Sequence, residues 1–387
     1  MIRKPKIDYL MIMILVGLLI ISLFAVYSGT GQYTDGESFL FARKQLIWYI
    51  VGIGIMIAIA YFDYELLEKW SIYLYVFGII LLLYVRFFGE VKNGSQRWID
   101  LKVMDFQPSE LMKIFLVIYL AAVLRKYGKE KLTFVQSIPV VLKTAVILLI
   151  PFYLILKQPD LGTALLIAIA ALVLLFMSTI SNKMIACILT VMAAVFSFLF
   201  YIFTQRQDLL SEMFERHQLG RINSWINPEE YTGSFGYQVK NALLGIGSGQ
   251  LTGSGFNEGF QVQSGRVPEA HTDFIFAVIG EEFGFVGASV LIVLFFLLIY
   301  RIITIALKST DLFGVYICIG ISALIAFQVF QNIGMTIGLM PVTGIALPFV
   351  SYGGSALLTN MVALGLVQSI FARSKDYMFS SNDDSVA

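Results

Sequence analysis

Long apolar runs separated by short polar breaks set the pattern of this chain. As helix, a run of roughly 20 residues crosses a hydrocarbon core of about 30 Å. Ten runs qualify as candidates, at 9–27, 46–63, 70–88, 108–124, 136–156, 161–179, 184–204, 274–300, 313–335 and 356–372. The expectation is an all-α polytopic membrane protein of about ten spans, with residues 1–375 as one integral membrane domain. A short polar tail, 376–387, is expected to be cytoplasmic and disordered. Two stretches break the rhythm. Residues 205–271 form a long hydrophilic connection between the seventh and eighth spans. Before the tenth span, GLMPVTGIALPFVSYGGSALL sets two prolines and several glycines in a mostly apolar stretch. Non-helical backbone at membrane depth survives only if buried in protein or facing a watery cavity, so a re-entrant segment lining something is predicted there.

Composition agrees with this pattern: 58% of residues are hydrophobic, 14% are charged, and the mean hydropathy is +0.80, outside the range of soluble domains. A net charge of +1 and the lack of a basic arm argue against nucleic acid as a partner. Cys187 and Cys318 fall inside apolar runs and read as small buried hydrophobes. The basic start, MIRKPKI, precedes an apolar run without a small-residue cleavage site, so it reads as a retained first span. The run RKYGKEK at 125–131, with the basic start and the shorter basic loops on the same side, places the N and C termini in the cytoplasm. Arg86, Lys92, Arg97 and Lys102 then lie outside, as does the 205–271 connection.

The polar clusters fall on that outer side. VPEAHTDFIFAVIGEEFG puts His271 and Asp273 at the start of the eighth run, with Glu281 and Glu282 further on. Asp273 can cap a helix or act as a general base with His271, Arg97 or Lys113 nearby. His271 can be a second acid/base or a hydrogen-bonding support. Glu281 lies eight residues on, about 12 Å along a helix, so Asp273 has no close carboxylate partner there. Structural pairing is the expectation for both glutamates. Glu110 and Lys113 are three apart on one helix face. Asp160 stands where a helix start favours negative charge. The Gly-rich stretch LLGIGSGQLTGSGFNEG leaves two readings open, a bound ligand and a tight, flexible turn. With so little charge near mid-bilayer, a site at one interface suits chemistry on a substrate whose lipid tail stays in the membrane.

The blocks NGSQRWI, QPSELMKI, KQPDLGTALL, VPEAHTDFIFAVIGEE and NIGMTIGLMPVTGIALPFVSYGGS resemble, in order, the signature blocks of the SEDS family (shape, elongation, division and sporulation). The last block is more similar to the elongation branch, RodA, than to the division branch, FtsW. The resemblance implies a ten-span peptidoglycan glycosyltransferase that polymerises lipid II outside the bacterial plasma membrane. It implies work with a class B penicillin-binding protein and other membrane proteins of the elongation machinery. It places the family's essential acid on Asp273 and further functional positions on Arg97, Glu110, Lys113, Asp160 and Ser351. Ala346 stands where relatives often carry proline, which should affect loop rigidity only. In the implied mechanism Asp273 takes the acceptor hydroxyl's proton, while Lys113 and Arg97 stabilise the leaving pyrophosphate. A divalent cation, Mg or Mn, would share that role, although the sequence holds no clean metal signature. Translocation of lipid II without chemistry and a non-catalytic scaffold for the penicillin-binding protein are the alternative functions.

Overall fold

A computed structural model describes residues 7–31, 38–92, 95–102, 104–205, 216–226 and 235–374. The basic start and the polar tail lie outside the described residues, as do Asn93 and Gly94 of the first signature block. The long helices, in chain order, are α1 (Tyr9–Gly29), α2 (Ser38–Tyr61), α3 (Leu66–Phe88), α4 (Pro108–Arg125), α5 (Phe134–Leu156), α6 (Leu161–Met177) and α7 (Asn182–Gln205). The 205–271 connection holds α8 (Arg216–Ile226), α9 (Phe235–Ser248) and the single turn α10 (Phe260–Gln263). Then follow α11 (Ile275–Glu282), α12 (Gly284–Lys308), α13 (Leu312–Thr336) and α14 (Gly354–Arg373). Among the described residues, eight helices are long and apolar enough to cross a membrane: α1, α2, α3, α5, α7, α12, α13 and α14. The other two expected crossings are α4 and α6. Helix α4 carries Glu110, Lys113 and Arg125 and is buried almost throughout, whereas α6 is only 17 residues long.

The expected eighth span at 274–300 is not one helix. It breaks at Phe283, where α11 ends, and Gly284 takes a φ of +61°. The Gly-rich stretch causes the break by docking its backbone there. Ser254 and Gly255 donate to the carbonyls of Glu281 and Glu282, while Phe285 and Val286 donate to those of Gln250 and Leu251. A Cβ on Gly249 or Gly253 would lie 2.0 Å from the carbonyl oxygen of Gly280 or Glu282. These glycines therefore serve close backbone packing, rather than either of the two roles open at the sequence level. The neighbouring glutamates complete the joint. Glu281 accepts from the amides of Gln261 (2.7 Å) and Val262 (3.1 Å), and Glu282 accepts from the Ser28 hydroxyl and Gln263 Nε2. Both are structural, as expected.

A small antiparallel sheet departs from the all-α expectation. Strands β1 (Glu90–Lys92), β2 (Ser95–Asp100) and β3 (Asp105–Phe106) fold the α3–α4 connection, with β2 in the centre carrying Arg97. The block before α14 is irregular and largely buried, and its carbonyls are taken up by side chains. Ser22 donates to Val350 (2.7 Å), Gln45 to Ser351 (3.2 Å), Tyr49 to Phe349, Gln328 to Ala346 (2.9 Å) and Asn332 to Ile345 (2.7 Å). Such pairing lets irregular backbone sit inside an apolar bundle. At the far end of the bundle, Asp8 caps α1 and pairs with Arg301 (2.5 Å), while Arg125 pairs with Glu68 and with Asp311 (3.1 Å).

Candidate active site

The ends of α3 and α5, the starts of α2, α4, α6 and α14, and residues 269–273 enclose a cavity of about 880 Å³. Its floor begins with Asp160. This residue caps α6 through Oδ1, which accepts from the Thr163 amide at 3.1 Å. Its Oδ2 accepts from Gln107 Nε2 (3.0 Å) and stands 3.6 Å from Arg97 Nη1. Capping and charge pairing thus coexist in one carboxylate. Arg97 lies over the Trp98 ring at 5.7 Å, and its Nε is buried without a hydrogen-bond partner, so the guanidinium's donors are not saturated.

Asp273 enters from the opposite wall. The N-cap of α11 is Phe274 and no side chain caps that helix, so the capping reading of Asp273 is overturned. Three bonds fix its segment instead. Asn332 Nδ2 donates to the Asp273 carbonyl (2.8 Å), Ser351 Oγ donates to Thr272 (2.6 Å), and the Tyr352 amide donates to His271 (2.9 Å). The side chain is half-buried and faces the cavity. Withdrawal from water pushes its carboxyl up to about 6, helped by Glu269 and Asp160 and opposed by the guanidiniums of Arg97 and Arg221.

Of the sequence-predicted residues, Arg97, Glu110, Asp160, His271 and Asp273 line this one cavity. Lys113 and Ser351 do not. Lys113 lies behind Glu110, bonded to it at 2.8 Å and 3.5 Å from Gln328 Oε1, where it neutralises a buried carboxylate. Ser351 joins two loops, accepting from Leu347 as it donates to Thr272. His271 packs edge-on to Phe41, and burial lowers its pKa against the opposing pull of Glu269, which keeps the ring neutral at neutral pH. Sequence reasoning missed Glu269 and Lys44, both on the cavity lining, and Arg221, which α8 brings to its edge. Arg221 sits in RINSWINPEE, noted only as part of a polar connection, and Lys44 falls just before the assigned start of the second span.

Among the described residues, no three His, Cys, Asp or Glu side chains converge to hold a metal ion. A magnesium-like ion here would need phosphate oxygens to complete its shell, so the protein's own donors do not make a resident metal site.

Comparison with known proteins agrees with the motif blocks. The family model described as "Cell cycle protein", covering FtsW, RodA and SpoVE, matches residues 8–376. The "Peptidoglycan glycosyltransferase MrdB" of Escherichia coli K12 is 35% identical over 376 residues, covering 96% of this chain and 95% of that protein. The solved rod shape determining protein RodA of Thermus thermophilus superposes with a TM-score of 0.68 at 25% identity, over 95% of this chain and 98% of that one. A chain from a peptidoglycan synthase complex reaches a TM-score of 0.76 at 24% identity, over the same shares of the two chains, and shows the fold alone. By its family model and its full-length relatives, this chain belongs to the FtsW, RodA and SpoVE family of cell cycle proteins, the SEDS family.

Proposed function

We propose that this chain is a peptidoglycan glycosyltransferase, as its curated relative is named, that polymerises lipid II at the outer face of the bacterial plasma membrane. The observation that carries this reading is the Asp273 carboxylate, facing a large cavity at one end of the bundle with guanidiniums close by. Raised to about 6, it is ionised at neutral pH yet basic enough to accept a proton. Asp273 takes the proton of the acceptor sugar's 4-hydroxyl as that oxygen attacks the donor's anomeric carbon. The new glycosidic bond forms as the bond to phosphate breaks, and the lipid pyrophosphate leaves with the electron pair. Direct displacement inverts the anomeric carbon and needs one base, which fits a single cavity carboxylate of this kind.

Arg97 stabilises the charge that grows on the pyrophosphate, where fixed cations away from bulk water act most strongly. Lys113 keeps Glu110 ionised and placed rather than reaching the substrate itself, which revises its expected role. The outer location follows from charge: the basic run at 125–131 sits at the end of α4 remote from the cavity. A class B penicillin-binding protein is the proposed partner, in keeping with the synthase complex that the fold resembles.

Purified chain, with and without that partner, is incubated with lipid II and the products are sized. Glycan strands are expected. Lipid II crossing vesicles without strand formation would instead favour the translocation reading, and partner-dependent crosslinking with no strands would favour the scaffold.

A further inference from the structure

The cavity wall beside Asp273 belongs to a segment with no regular structure, residues 341–347. Side chains from two sides hold its carbonyls. Gln328 and Asn332 of α13 take Ala346 and Ile345. Helix α8 supplies the other grip with two donors four residues apart, on one face. Trp225 Nε1 donates to the Gly338 carbonyl at 2.9 Å. Arg221 Nη1 donates to the carbonyls of Val342 and Thr343 at 3.2 and 3.1 Å. Gly344 follows at once, with a φ of +73°, and a Cβ there would lie 3.4 Å from Asp273 Oδ2.

We propose that Arg221 is a positioning residue of the active site: α8, folded from the long polar connection, clips residues 342–343 so that Gly344 closes against the Asp273 carboxylate. The inference rests on the reading of Asp273 as the base. Arg221 spends Nη1 on the wall, so its contribution is to hold Gly344 in place and to lend positive charge to the site. Lysine can replace the charge but not the planar two-carbonyl grip.

The charged groups around Asp273 come from several elements. Arg97 stands on β2, Asp160 at the start of α6, Glu110 on α4, and Glu269 and His271 on its own segment. Lys44 of α2, with Asp100, Lys102 and Asp105 of the sheet and its turn, completes the lining. Arg97 and Arg221 favour the ionised carboxylate, and Glu269 and Asp160 oppose it. Loss of the Arg221 charge therefore makes Asp273 harder to ionise, and the acid limb of the rate profile moves to higher pH.

The test is the kcat/KM–pH profile for lipid II polymerisation by the full chain with its partner, for wild type, Arg221→Met, Arg221→Lys, Trp225→Phe and Asp273→Asn at matched folded fraction. Arg221→Met is expected to move the acid limb up by about half a pH unit or more and to lower kcat about tenfold. Arg221→Lys is expected to keep the wild-type limb with reduced kcat, and Trp225→Phe to keep the limb. Wild-type kcat and limb in Arg221→Met would overturn the inference, as would limbs that move equally in Arg221→Met and Trp225→Phe. Should Arg221→Met not fold, Arg221→Lys decides: wild-type kcat there removes the clip. Activity retained in Asp273→Asn would be a distinct result, removing the base and this inference with it.

Discussion

Asp273 is set by two opposing influences, withdrawal from water and nearby guanidiniums, and the first prevails. A carboxylate whose folded pKa exceeds its unfolded value binds more protons in the folded state between the two values, so ionising it costs stability as pH rises through that window. Two outcomes follow. Polymerisation should fall as pH drops through about 6. Asp273→Asn should melt higher than wild type at pH 7.5, with the gap closing below pH 4; equal melting temperatures at pH 7.5 would mean that the carboxylate is not desolvated. Lys113 gives the contrasting case. Lys113→Met leaves Glu110 buried without its partner, and thermal melts should register a loss of about 3 kcal/mol, much of it recovered in the Lys113→Met/Glu110→Gln double variant. Asp273, Arg97 and Asp160 were legible because motif blocks single them out. The choice between cap and base was not, because it depends on where α11 begins, and that start is fixed by Asn332 and Ser351 from distant parts of the chain.

At the level of elements, periodicity found the bundle but not its joints. The run at 274–300 is continuously apolar, so nothing in its composition marks the break at Phe283; residues 249–255 impose it by backbone docking. Gly249→Ala and Gly253→Ala should each destabilise the protein strongly, since the new Cβ meets carbonyl oxygen at 2.0 Å and backbone cannot step aside cheaply. Thermal melts within a degree of wild type for both would refute the docking. The small sheet escaped because SQRWID is short and interrupted by polar residues on both faces, half-buried rather than alternating cleanly. The irregular segment before α14 was legible from its prolines and glycines, whereas its grip by α8 was not, since the gripping residues lie over a hundred positions away.

For the whole molecule, the cavity and the basic run 125–131 lie at opposite ends of the bundle, and this division gives the chain its direction in the membrane. In a Cys187→Ser background, cysteine placed at the exposed Asp100 should react with a membrane-impermeant maleimide in intact cells, and cysteine at the exposed Glu130 should react only after lysis. The opposite pattern would put the cavity in the cytoplasm. An extracytoplasmic cavity with its base at the bundle's end matches a substrate whose sugars lie outside and whose lipid remains in the bilayer. The measurement that tests this account most directly is strand formation from purified lipid II by wild type and Asp273→Asn, each with its penicillin-binding partner and at equal folded fraction. The account predicts glycan strands from the wild type and a loss of at least about a hundredfold in the variant, the scale at which a general base contributes. Strands at the wild-type rate from Asp273→Asn would contradict it.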